Sequence, residues 1–147
     1  MIFLGKISTL DLVIIFGSLG AVVIGLLIFF FAGLHHVPKN HAIIIEKARE
    51  FYALYDKGFH FKAPIAYQKV GTYCIVPQTR GYIANNGNHL KITYQVEDVK
   101  KYHYSYITFE DLMRKIEKEN SEINHTVLVN TFNQYGLKFI SIDRFIG

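Results

Sequence analysis

The chain has 147 residues, half of them hydrophobic and 19% charged, with a formal net charge of +4. One domain is the natural count at that length, and the composition excludes a disordered tail. A single cysteine, Cys74, excludes a disulfide-stapled mini-protein. One long uncharged apolar stretch near the N-terminus excludes a freely soluble enzyme.

A short tail, residues 1–11, precedes that stretch, which runs from Leu12 to Leu34. Its 23 residues make a helix of ~34 Å, enough to cross a ~30 Å hydrocarbon core with slight tilt. Sixteen of them are Leu, Ile, Val or Phe, which favours insertion by roughly 5 to 10 kcal/mol before the glycines offset part of it. A cleaved signal would end in small residues; here the end carries Phe29, Phe30 and Phe31, so a retained transmembrane anchor is expected. Gly17, Ala21 and Gly25 recur every four residues along one helix face. They are either a helix-association face or incidental small residues. Lys6 stands before the span, and Lys39, Lys47 and Arg49 follow it. That bias predicts a single-pass protein of the cell membrane with its C-terminal domain in the cytoplasm.

Residues 37–147 hold 15 basic and 11 acidic side chains, so the whole positive excess lies beside the membrane and is expected to attract anionic lipid headgroups. The basic residues are scattered without an Arg-rich block, which argues against nucleic acid as a partner. Ala42–Glu46 is β-branched and predicts a strand. Phe51–Tyr55, then Asp56, Lys57 and Gly58, then Phe59–Phe61 predict a hairpin, ended by Pro64. Phe59, Phe61 and Ile65 set apolar groups near Lys57 and Lys62, a pairing that suits shallow insertion beside headgroups; the alternative is that these rings fill the core. Lys69–Val76 and Leu90–Val96 predict strands, the second preceded by an Asn85–Asn88 turn. Cys74, in an apolar run, reads as a buried, inert thiol.

Tyr102, Tyr104 and Tyr106 share one face if extended, as a core edge, a subunit contact or a headgroup layer. Thr108 predicts a helix cap, with Phe109, Leu112, Met113 and Ile116 on its apolar face. Ser121 predicts the cap of a second helix carrying Ile123, Val127, Leu128 and Phe132. Gly136 fits a left-handed helix end, and Leu137–Ile142 a last strand. The order predicts an α+β domain over residues 37–147, mostly antiparallel sheet with two helices on one face.

No catalytic machinery is evident. His35, His36 and His41 lack the cysteine or carboxylate partners of a zinc site, no Gly-x-Ser-x-Gly occurs, and no phosphate-cradling loop is present. No metal, cofactor or catalytic residue is therefore expected. Asn124-His125-Thr126 matches a glycosylation acceptor by chance, inside an expected helix.

A span followed by Val37-Pro38-Lys39-Asn40-His41 and Ile43-Ile44-Ile45-Glu46 resembles the start of an SPFH, or band 7, domain of the stomatin, prohibitin and flotillin group. Tyr55–Ile65, Thr93–Asp98 and Tyr135–Ile142 are similar to that family's later motifs in the same order. The chain departs from the pattern at Val99, where the family often has proline, and residues up to Gly147 carry no heptads of the family's coiled coil. The resemblance implies a non-enzymatic scaffold that forms homo-oligomers at the bilayer and organises membrane-protein partners such as proteases or channels. Without the coiled coil, weaker and more concentration-dependent assembly is expected. A membrane-anchored subunit of a larger hetero-complex and an anchored lipid-binding domain are the alternative readings.

Overall fold

Helix α1, Thr9–Gly33, begins three residues before the expected span. Ser8 and Asp11 form a capping box: the Ser8 hydroxyl accepts from Leu10 N, and Ser8 N donates to Asp11 Oδ2 at 3.1 Å. The helix is long and apolar enough to cross a membrane. Leu34, expected inside the span, instead opens strand β1, Leu34–Val37, so the helix runs into the domain without a loop. The computed structural model describes residues 8–120 and 123–145.

Seven more strands follow: β2 His41–Lys47, β3 Glu50–Tyr55, β4 Gly58–Phe61, β5 Gln68–Cys74, β6 Gln78–Ile83, β7 His89–Val96 and β8 Leu137–Phe145. The three sheets among the described residues are antiparallel throughout, ordered β1-β4, β3-β2-β5 and β6-β7-β8. The expected hairpin between Phe51–Tyr55 and Phe59–Phe61 does not form. β3 pairs with β2 and β4 pairs with β1, so Asp56, Lys57 and Gly58 carry the chain from one sheet to another. The true hairpin is β2–β3, closed by Ala48 and Arg49 with φ of 53° and 69°. A two-residue turn with both φ positive matches the strand twist but usually recruits Asn or Gly. Here the sheet holds two ordinary residues left-handed, at a cost of roughly 1–2 kcal/mol each.

Strand β2 is central, and Ala42–Ile45 are buried in succession because both of its faces are covered. Ile43 and Ile45 pack with Val37, Tyr55 and Tyr67 in a small core beneath β1-β4. Ala42 and Ile44 join the larger core.

That larger core lies between the third sheet and the helices. Leu90, Ile92, Tyr94 and Val96 alternate inward along β7. Helices α3, Phe109–Glu119, and α4, His125–Gln134, cover them. Tyr94 stacks on Phe109 at 5.1 Å and meets Phe132 edge-on at 5.8 Å. All four apolar residues expected on α3 are buried, and Thr108 caps it. Ser121, the expected cap of the next helix, lies outside the described residues; α4 is capped by Asn124, whose Oδ1 accepts from Val127 N at 2.9 Å. The Asn124-His125-Thr126 match therefore sits at the helix start rather than within it. The tyrosine triplet is not extended, because Val99–Tyr104 forms helix α2, capped by Asp98. The fold is thus α+β with an apolar N-terminal helix and antiparallel sheets, as expected in class, with its strands divided among three small sheets.

Candidate membrane-proximal site

The junction of α1 with β1-β4 brings most of the expected contact residues together. Register places Leu34 opposite Phe61 and His36 opposite Phe59 on one face of the two-stranded sheet, and His35 opposite His60 and Val37 opposite Gly58 on the other. Val37 turns into the small core. The Phe59 and Phe61 face remains open, with Phe59 72%, Phe61 46% and Ile65 91% exposed. These three residues therefore do not fill the core.

The same face is continuous with the end of the apolar helix. Phe61 stacks on Phe30 at 5.7 Å and lies 6.1 Å from Phe29, while Phe59 packs on His36 at 4.8 Å. Gly33 makes this approach possible: a Cβ there would meet the Phe61 ring and stand 2.6 Å from the Lys62 carbonyl. Its own carbonyl accepts from Lys62 N at 2.9 Å. Helix end and strand are therefore clasped through backbone and rings at once.

The polar groups beneath are arranged less openly. Lys57 is exposed, whereas Lys62 is half-buried and donates from Nζ to the Tyr67 carbonyl at 3.1 Å. His60 stacks on Tyr55 at 4.4 Å and donates from Nε2 to the Asp56 carbonyl at 2.7 Å. His35 Nε2 is buried without a hydrogen-bond partner. Burial lowers the His35 pKa, and the positive charges of Lys62 and Lys69 lower it further. Gly17, Ala21 and Gly25 lie apart from this site, on an exposed face of α1; a Cβ at either glycine meets nothing within 4 Å.

A second polar cluster, which no sequence motif announced, lies on the other side of β2. Tyr104 donates to Glu46 Oε1 at 2.6 Å, which raises its phenol pKa to about 12 with burial adding to the effect. His103 Nε2 stands 3.9 Å from the same oxygen, and its Nδ1 is hydrogen-bonded to the Tyr73 hydroxyl at 2.6 Å. This chain joins α2 to β2 and β5 over separations of up to 58 residues, which local spacing cannot reveal. Cys74 is free and half-buried at the end of β5. Among the described residues no three His, Cys, Asp or Glu side chains converge as metal ligands would. Set against protein-family models and against curated proteins, the chain matches none.

Proposed function

We propose that the chain is a single-pass, membrane-anchored scaffold whose domain lies on the cytoplasmic leaflet, associates with its own copies, and organises membrane-protein partners such as proteases or channels. The observation that carries this reading is the unlinked junction: α1 passes directly into β1, and Phe61 stacks on the last turns of the helix. A spanning α1 sets the open Phe59 and Phe61 face at headgroup level. Withdrawing such a side chain fully from water contributes about 2 kcal/mol, and an exposed lysine such as Lys57 about 1 kcal/mol at an anionic surface. Shallow insertion of Phe59, Phe61 and Ile65 beside Lys57 and Lys62 follows. Self-association is supported by edge strand β3, which leaves Tyr52 and Leu54 exposed beside a backbone edge that pairs with no strand among the described residues. The order of SPFH-like motifs is in keeping with the same reading.

The chain contains no tryptophan, so a single introduced one reports its own depth. Full-length Phe59→Trp in anionic nanodiscs should be quenched by brominated acyl chains, whereas Ile83→Trp, exposed in the third sheet, should not. Equal quenching of the two would remove the membrane-contact reading. Native mass across a range of chain-to-nanodisc ratios tests the scaffold: homo-oligomers are expected, and they should survive Gly17→Leu with Gly25→Leu. A monomer throughout would replace the scaffold with the partner-subunit reading.

A further inference from the structure

A cavity of about 380 Å3 opens on the side of the domain where α2, α3 and the edges of two sheets meet. Tyr73 of β5, Arg80 of β6, Tyr94 of β7, Tyr102 of α2 and Tyr106 in the link to α3 all line it. Its size lies at the small end of the ~300–1,000 Å3 range of small-molecule sites, enough for one ring and a polar substituent.

The charges on its rim are not equivalent. Arg80 and Glu110 both line the cavity, and among the described residues neither has an ion-pair partner. Glu110, however, lies in the first turn of α3, where the helix N-terminus answers its charge. The Arg80 guanidinium is opposed in the cavity by Glu110, whose charge acts on the same two phenols. Its neighbours are the phenols of Tyr94 and Tyr102, whose pKa values are raised by burial, Tyr102 to about 12, and which Arg80 acts to lower. Both therefore remain neutral hydroxyls at physiological pH. The Tyr73 hydroxyl is already engaged by His103, but those of Tyr102 and Tyr106 have no internal partner among the described residues. The Arg80 fork offers donors only, and the two hydroxyls can donate beside it, so on this side of the cavity the complementary ligand group is an anion.

The walls select its body. Phe109, Ile107 and the Tyr94 ring supply apolar surface. Tyr106 is 82% exposed at the rim and holds a left-handed φ of 52°, which costs an ordinary residue roughly 1–2 kcal/mol. Its ring lies 6.2 Å from His103 and edge-on to Tyr104 at 6.4 Å, and its exposed side at the rim is available to cover a flat guest. We propose that this cavity binds a small aryl carboxylate, with the Arg80 fork gripping the carboxylate and Tyr106 closing over the ring. The site is independent of how the chain meets a membrane.

The test is titration of the full-length chain in nanodiscs with benzoate, followed by ligand-detected NMR with empty nanodiscs subtracted. Saturable one-site binding is expected. Arg80→Gln should weaken it by about tenfold or more, since a charged hydrogen-bonded pair is lost. Tyr106→Ala should weaken it by roughly threefold or more. Glu110→Gln should strengthen it, which guards against reading a folding defect as lost affinity. Benzyltrimethylammonium, a cation of similar shape, should not compete. The proposal is overturned by absence of saturable benzoate binding, by equal affinity in Arg80→Gln, or by preference for the cation.

Discussion

Replacing Gly136 by alanine should destabilise the domain far more than the same change at Gly87, and the comparison isolates a single contact. Both glycines are left-handed, with φ of 74° and 82°. That backbone costs an alanine roughly 1–2 kcal/mol, offset by about 0.5 kcal/mol from the stiffer unfolded chain. At Gly87 nothing lies within 4 Å of the added methyl. At Gly136 the methyl would stand 2.5 Å from the Asp98 carbonyl oxygen and 3.1 Å from the Cβ atoms of Asp98 and Lys101. The obstacle is backbone and cannot swing aside. Relief requires Gly136 to move from the start of α2, yet its carbonyl accepts from both Glu97 N at 3.0 Å and Asp98 N at 2.9 Å. Overpacking of this kind costs about 1–3 kcal/mol, and each strained hydrogen bond about 1 kcal/mol. The penalty at Gly136 is thus roughly 3–5 kcal/mol against about 1 kcal/mol at Gly87, a gap of at least about 10 °C in melting temperature for a domain of this size. Near-UV circular dichroism of the tyrosines in detergent is the suitable assay, because α1 keeps its far-UV signal when the domain melts. Melting temperatures within about 2 °C of each other would refute the claim that the close approach to Asp98 matters.

Two further outcomes follow from the membrane-proximal site and a third from the charge bias across the span. The His35 pKa is depressed in the folded state, so below the ordinary value of 6.5 the unfolded chain binds the extra proton and stability should fall as pH drops. His35→Asn should flatten that slope in urea unfolding between pH 7.5 and 5.5, and an unchanged slope would count against the assignment. Gly33→Ala should part α1 from β4 and reduce lipid quenching of the Phe59→Trp reporter; undiminished quenching would mean the joint is held elsewhere. A cysteine placed after Gly147, in a Cys74→Ser background, should react with an impermeant reagent only after the membrane is opened, and labelling of intact cells would reverse the orientation.

The elements legible in the sequence are those whose burial follows a single period. The uncharged run of α1, the alternation of Leu90 to Val96, and the Phe109, Leu112, Met113, Ile116 spacing each state one buried face. Strand β6 was silent because Thr79, Arg80 and Gly81 are all exposed and its pairing is set by β7 across the Asn85–Asn88 turn. The β2–β3 hairpin was hidden by Ala48 and Arg49, whose left-handed backbone is imposed by the sheet rather than favoured locally. Asp56-Lys57-Gly58 has ordinary turn chemistry and does turn the chain; what local chemistry does not encode is which strand the turned segment meets. Phe59 and Phe61 could be named from their place after the span, but their exposure depends on β1, which the apolar run concealed at Leu34. The cavity lined by Arg80 and Tyr106 draws on β5, β6, β7, α2 and α3, and no linear pattern contains it.

The helix–sheet junction also bears on how the domain sits if α1 spans the bilayer as proposed. From Leu12 to Gly33 the helix measures ~33 Å, slightly more than a ~30 Å hydrocarbon core, so tilt is the inexpensive adjustment. A flexible linker would let the domain ignore that tilt. Here β1 follows α1 directly, Lys62 N is bonded to the Gly33 carbonyl, and Phe61 lies on Phe30, so the domain rotates with the helix. Tilting towards β4 would lower the open Phe59 and Phe61 face into the headgroup layer, while tilting away would lift it into water. The two directions therefore differ by the transfer free energy of those side chains, of order 2 kcal/mol each if fully withdrawn, which exceeds thermal energy several-fold. In a bilayer the aromatic face would then act as a rudder: it would select the direction of helix tilt, and through β2, whose Ile43 and Ile45 pack against Val37, set the height of the rest of the domain above the membrane.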